Sequence, residues 1–154
     1  MNRQLNETIE KGDLMKRYML ILLLISLLLT ACSAEKPASL VGTWKLTAYG
    51  PKDSPTPAVT NAEAILTFDG EGGVTGSGGC NSLGGTYKLD GDQITFSELT
   101  STLMACDDAR MAQESAVALV LSGTAKYEIK DSILTLTNHD LELMFSAANS
   151  YPYP

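Results

Sequence analysis

Between residues 42 and 145 short runs of alternating apolar and polar residues recur, each closed off by glycine, aspartate or asparagine. The runs are GTWKLTAY (42–49), AILTF (64–68), GVTGS (73–77), GTYKL (85–89) and QITFS (93–97), followed after a gap by AKYEIK (125–130), SILTLT (132–137) and LELMF (141–145). Alternation with threonine and aromatic enrichment is the pattern of a half-buried strand. The separators DGEGG, GG, DGD and NHD supply the positive φ values that tight hairpins require. So many short strands at such close spacing leave little room for anything but an antiparallel barrel or sandwich. The expected fold is mainly β, a small α+β domain with an antiparallel barrel-like sheet of about eight strands and one helix inserted late in the chain.

The helix is expected in DDARMAQESAVALVLSG (107–123). Asp107 and Asp108 suit a cap and the positive end of a helix dipole. Alanine, Met111, Gln113, Glu114 and Leu119 sustain it, and Gly123 stands where a helix would stop. Its second half, 116–121, reads as apolar all round and so as plugging or packing against the sheet rather than lying on water. PKDSPTP (51–57), with three prolines, reads as a loop.

The start of the chain follows another logic. Met15-Lys16-Arg17 precedes the apolar run MLILLLISLLL (19–29). Eleven residues rise only about 16 Å as a helix, too short for the roughly 30 Å hydrocarbon core. A basic start with a short apolar centre is the pattern of an export signal. Leu29-Thr30-Ala31-Cys32 has the order leucine, small, small, cysteine of the bacterial lipobox, in which the cysteine thiol accepts a diacylglyceryl group and the chain is cut before it. Two or more acyl chains give stable anchoring where one gives only marginal binding. The resulting division is an N-terminal extension and lipoprotein signal at 1–31, a lipid-anchored tether at 32–39, a folded domain at 40–146 and a tail at 147–154. The signal pattern is complete from Met15, so translation from Met15 rather than Met1 is the expectation. The protein is expected to be exported and anchored by Cys32, on the periplasmic face of an outer membrane or the outer face of a cytoplasmic one.

Eleven lysines and arginines stand against eighteen aspartates and glutamates, a net charge of −7. Nucleic-acid binding needs a positive surface, so no nucleic-acid partner is expected. The same balance disfavours docking on anionic lipid and leaves membrane contact to the anchor.

The stretch GSGGCNSLGG (76–85) invites several chemistries. From Gly79 it has the spacing of a phosphate-binding loop, but Gly85 stands where the lysine belongs, and strand rather than helix follows. For metal, the domain offers Cys80, Cys106 and His139, fewer than the four ligands of an ordinary zinc site, and His139 lies in a turn. A serine nucleophile lacks its elbow motif, and a Cys80 nucleophile would have to stay a free thiolate in an oxidising compartment. Asp90 and Asp92 belong to a turn. No catalytic residue, metal ligand or cofactor is assigned. With Cys32 used as the anchor, a Cys80–Cys106 disulfide is the expectation, two separate buried thiols being the alternative. Closing the 25 intervening residues is worth about 3–4 kcal/mol in the loop-entropy account.

GTWKL at 42–46, the segment 66–96 with Gly79-Cys80-Asn81 at its centre, STLMAC at 101–106, the helix with Gln113-Glu114 and the closing LTLTNHDLELMF together resemble the META domain, also called the HslJ-like domain. The resemblance covers roughly residues 40–145; the proline-rich loop at 51–57 departs from it. It implies a mostly antiparallel barrel-like fold with a helix, an envelope or secreted location, and links to heat-shock and antibiotic-stress responses. The family has no established catalytic residues, so what carries over is the motif itself, with Gly79, Asn81 and Met104 beside Cys80 and Cys106 as conformational and stabilising residues.

The functional expectation is therefore a membrane-anchored, non-enzymatic envelope lipoprotein, a stress or maintenance module that binds an envelope protein. The alternative is a lipocalin-like barrel that holds a small apolar ligand or lipid in a cavity lined by Trp44 and Phe68, because Gly42-Thr43-Trp44 resembles the Gly-x-Trp that opens lipocalin barrels.

Overall fold

The computed structural model describes residues 39–148; Cys32 with its signal segment, and the tail beyond Ala148, lie outside the described residues. The chain forms strands β1 (Gly42–Pro51), β2 (Thr56–Pro57), β3 (Ile65–Phe68), β4 (Gly73–Ser77), β5 (Ser82–Asp90) and β6 (Gln93–Ser101), helix α1 (Asp108–Leu121), and strands β7 (Thr124–Lys130), β8 (Ile133–Asn138) and β9 (Leu141–Ala147). All pairings are antiparallel, and β9 returns to β1, so eight strands close into a barrel with the short β2 attached outside.

Closure depends on β1 serving two neighbours. Its start pairs with β3, Trp44 lying opposite Leu66, and its longer remainder pairs with β9 as far as Pro51 opposite Leu141. A bulge between Leu46 and Ala48 bends the strand where it passes from one role to the other. Ala147 pairs with Trp44, and the Ala148 amide donates to the Thr43 carbonyl at 2.9 Å, so β9 runs beyond Phe145.

Alternation selects the interior. Leu66 and Phe68, Ile94 and Phe96, Leu134 and Leu136, and Leu143 and Phe145 are each two residues apart and buried. Phe68 meets Tyr87 edge-on with ring centres 5.1 Å apart, and the Tyr87 hydroxyl donates to the Asp69 carbonyl at 2.6 Å. The Asp69 side chain closes the β3–β4 turn by accepting from the amides of Glu71 and Gly73, bonds that hold its carboxyl below the usual aspartate range, Gly73 having the larger effect. Asp131 and Ser132 both adopt positive φ in the two-residue β7–β8 turn.

Helix α1 starts as expected. Asp107 is its cap, accepting from the Arg110 amide at 3.1 Å. It ends at Ser122 rather than through a left-handed glycine: the Ser122 hydroxyl and amide both donate to the Leu119 carbonyl, and Gly123 does not take positive φ. The helix packs against the sheet by one face rather than being buried on every side. Val117, Val120 and Leu121 enter the core while Ala118 and Leu119 stay exposed. Its packing partners are β1, β7, β8 and β9, and it stands off from the β5–β6 hairpin.

Candidate functional site

The glycine-rich stretch does not run as one loop. Gly76 and Ser77 finish β4, Ser82 already begins β5, and only residues 78–81 form the connection. That connection is held from beneath by two adjacent helix residues. Gln113 is fully buried; its Oε1 accepts from the Val59 amide at 2.7 Å, and its Nε2 donates to the carbonyls of Gly78 at 2.9 Å and Ala62 at 3.3 Å. Glu114 accepts from the Cys80 amide at 3.1 Å, the Asn81 amide at 2.7 Å and Asn81 Nδ2 at 2.6 Å. A carboxylate facing three N–H donors gives charge-assisted bonds, roughly twice as strong as neutral ones.

Glycine is required where the helix comes this close. Gly79 has φ +112°, and a β-carbon there would lie 2.5 Å from Gln113 Nε2. At Gly78 a β-carbon would lie 2.8 Å from Glu114 Cγ. These two glycines are spacers that admit the helix side chains.

Asn81 carries the hold outward to the loop between β6 and α1. Its Oδ1 accepts from the Met104 amide at 2.7 Å and the Thr102 hydroxyl at 2.8 Å, while Nδ2 also donates to the Met104 carbonyl at 3.1 Å. A disulfide joins Cys80 to Cys106, with 6.1 Å between their α-carbons. Met104 therefore belongs to the site through its backbone. Its side chain is exposed, and neighbouring Leu103 is 98 % exposed.

The motif residues foreseen from sequence, Gly79, Cys80, Asn81, Met104 and Cys106, come together here. Trp44 and Phe68, the residues expected to line a cavity, are both buried in the core. Trp44 is a core residue whose indole N–H donates to the Leu40 carbonyl at 2.8 Å, and Phe68 is packed between Tyr87 and Phe96. An eight-stranded barrel is just wide enough for side chains to fill it, and both aromatics belong to the buried core cluster.

Sequence reasoning missed Gln113 and Glu114 as functional positions, reading them as residues that sustain a helix. The signal was present: Gln113 is in step with Val117, Val120 and Leu121, a spacing of four, seven and eight that puts an amide on the buried stripe. It also missed a groove of about 290 Å³ where α1 stands away from β5 and β6. Leu83, Leu99, Val117, Ala118 and Leu121 give it an apolar lining, and Asn81 and Glu114 stand at one end.

The family model described as META domain matches residues 38–150. No curated protein matches the chain. Among solved structures, one NMR structure, described only as that of "the protein", is 21% identical with TM-score 0.58, covering 71% of this chain and 92% of the other. The NMR structure of a protein from Burkholderia xenovorans is 20% identical with TM-score 0.58, covering 78% of this chain and 98% of the other. The crystal structure of a duf4847 family protein from Bacteroides vulgatus is 16% identical with TM-score 0.52, covering 71% and 94%. At these identities the likeness is one of fold.

Proposed function

The chain belongs to the META domain family, and from that premise we propose that it is an exported lipoprotein, tethered through Cys32, whose domain serves the cell envelope as a non-enzymatic binding module in stress or maintenance. The observation that carries this reading is the use made of the motif. Asn81, Gln113 and Glu114, the polar side chains gathered at the motif, are turned onto the protein's own backbone. A group bonded in this way holds conformation, whereas a catalytic base or nucleophile has to reach a substrate. Beside this clamp lies the apolar groove, the kind of surface a binding module uses. The disulfide also suits an exported protein, since such bonds persist in oxidising compartments.

A small-ligand barrel needs an internal cavity, and ligand pockets run from about 300 Å³ upward. The core aromatics occupy the barrel interior, and the groove of about 290 Å³ at its side matches a few aliphatic side chains better than a whole lipid.

The tether is tested by fractionation. Wild-type protein expressed in a bacterial host should sediment with membranes and incorporate labelled palmitate. Cys32→Ala should lose the label and leave the membrane fraction. Unchanged membrane retention of the unlabelled variant would contradict the anchor.

A further inference from the structure

The barrel is closed but not fully paired. β7 meets β6 only at Gln93, Ile94 and Thr95, and the last rung is the Phe96 amide donating to the Gly123 carbonyl at 2.9 Å. Beyond it the chain has turned into α1, while β6 continues to Ser101 against β5 alone. The Thr102 amide donates to the Ser82 carbonyl, so Thr100 and Thr102 direct their backbone groups to β5. Across those trans peptides the C=O of Leu99 and the N–H and C=O of Ser101 face the opposite way, where no strand lies against them among the described residues. On that side, between the β6 edge and the helix, runs the apolar groove, lined by Leu99 and Ser101 from the strand and by Val117, Ala118 and Leu121 from the helix.

An open edge beside an apolar floor is the geometry of strand addition, in which backbone bonds supply affinity and alternate side chains enter pockets. We propose that this groove receives an extended segment of another protein, paired with β6 at Leu99 and Ser101, with apolar residues facing the groove and a lysine or arginine among them. The basic residue follows from charge. The one charged residue lining the groove is Glu114, Glu98 adjoins Leu99 on the strand, and no lysine or arginine is among the lining residues. The same charge works against a second copy of this chain, because two copies would bring two acidic edges together. Glu98 also sits at a bulge in the β5–β6 pairing with φ +54°, which limits the open edge to the last few residues of the strand.

This inference rests on the binding-module reading, and its test separates the two. The probe is a fluorescein-labelled seven-residue peptide in which valine alternates with threonine and lysine, titrated by anisotropy into the full chain held in lipid nanodiscs. Saturable binding is expected, weakened at least tenfold when the edge-facing amides of the peptide are N-methylated and at least tenfold when glutamate replaces its lysines. Ala118→Trp fills the groove from an exposed helix position and should weaken binding equally while leaving the melting temperature near that of the wild type. Binding that survives N-methylation overturns strand addition. Saturable binding indifferent to Ala118→Trp overturns the groove yet keeps a binding module elsewhere on the domain. Absence of binding overturns the inference, and a dimer seen by sedimentation that dissociates in Ala118→Trp would make a second copy the occupant and overturn it as well. The fractionation of Cys32→Ala stands apart from all of these.

Discussion

Gln113→Ala should destabilise the domain by about 3–5 kcal/mol, more than any exposed substitution on the same helix. The side chain is fully buried, and its removal strands the Val59 amide and the carbonyls of Gly78 and Ala62. A buried polar group left without its partner costs about 1–3 kcal/mol, and a space opens as well. Domains of this size are stable by about 5–15 kcal/mol in all, so the variant should melt about 15 °C or more below wild type, or fail to accumulate. Gln113→Met separates the causes, because it keeps most of the volume and none of the hydrogen bonds. If the clamp is what matters, methionine should be nearly as damaging as alanine in a thermal melt. A methionine variant close to wild type would assign Gln113 to packing alone.

The disulfide gives the second large effect. Replacing Cys80 and Cys106 together by alanine releases a cross-link spanning a sequence separation of 26, which the loop-entropy account values at about 3.5 kcal/mol. The fold should survive, because Asn81 and Glu114 still hold both sides of the same connection. The two devices ought to be coupled. In the oxidised protein Asn81→Ala leaves the 102–106 loop tied at Cys106, whereas in the cysteine-free protein it removes what remains. Its cost should therefore be larger without the bridge, by more than the 0.3–0.5 kcal/mol within which independent sites usually add. Urea unfolding of the four proteins of the cycle measures this, and simple additivity would mean that the bridge and Asn81 restrain different structure.

How far the sequence revealed this molecule depends on which forces write themselves into pattern. Period-two alternation marked the eight barrel strands, since each has one face in the core. It marked their ends less well. β5 begins at Ser82 and β6 runs to Ser101, extensions in which Leu83 and Leu99 stand singly among serine, threonine, glycine and glutamate and so make no alternating run. Thr56–Pro57 pairs with Ala48 and Tyr49 inside a segment whose prolines read as loop. Asp107 was legible as a cap because capping is local chemistry. The bond from Glu114 to the Cys80 and Asn81 amides was not, because 33 residues separate Asn81 from its partner and nothing in either local pattern reports it. The groove was hidden for a similar reason. It exists because α1 packs against β1 and β7–β9 and leaves β6 uncovered, a consequence of how the barrel closes.

What unites these features is that the Gly-Gly-Cys-Asn segment acts as a clamp, fixing the loop that follows β6 and with it the open end of the strand. Amide hydrogen exchange in that loop tests this most directly. The loop is solvent-exposed, and Leu103 is almost wholly so. The Met104 amide nevertheless donates to Asn81 Oδ1 and the Thr102 amide to the Ser82 carbonyl. In the oxidised wild-type protein these two amides should exchange at least a hundredfold more slowly than the Leu103 amide between them, and Asn81→Ala should abolish the protection at Met104. Uniformly fast exchange across all three residues would contradict the clamp.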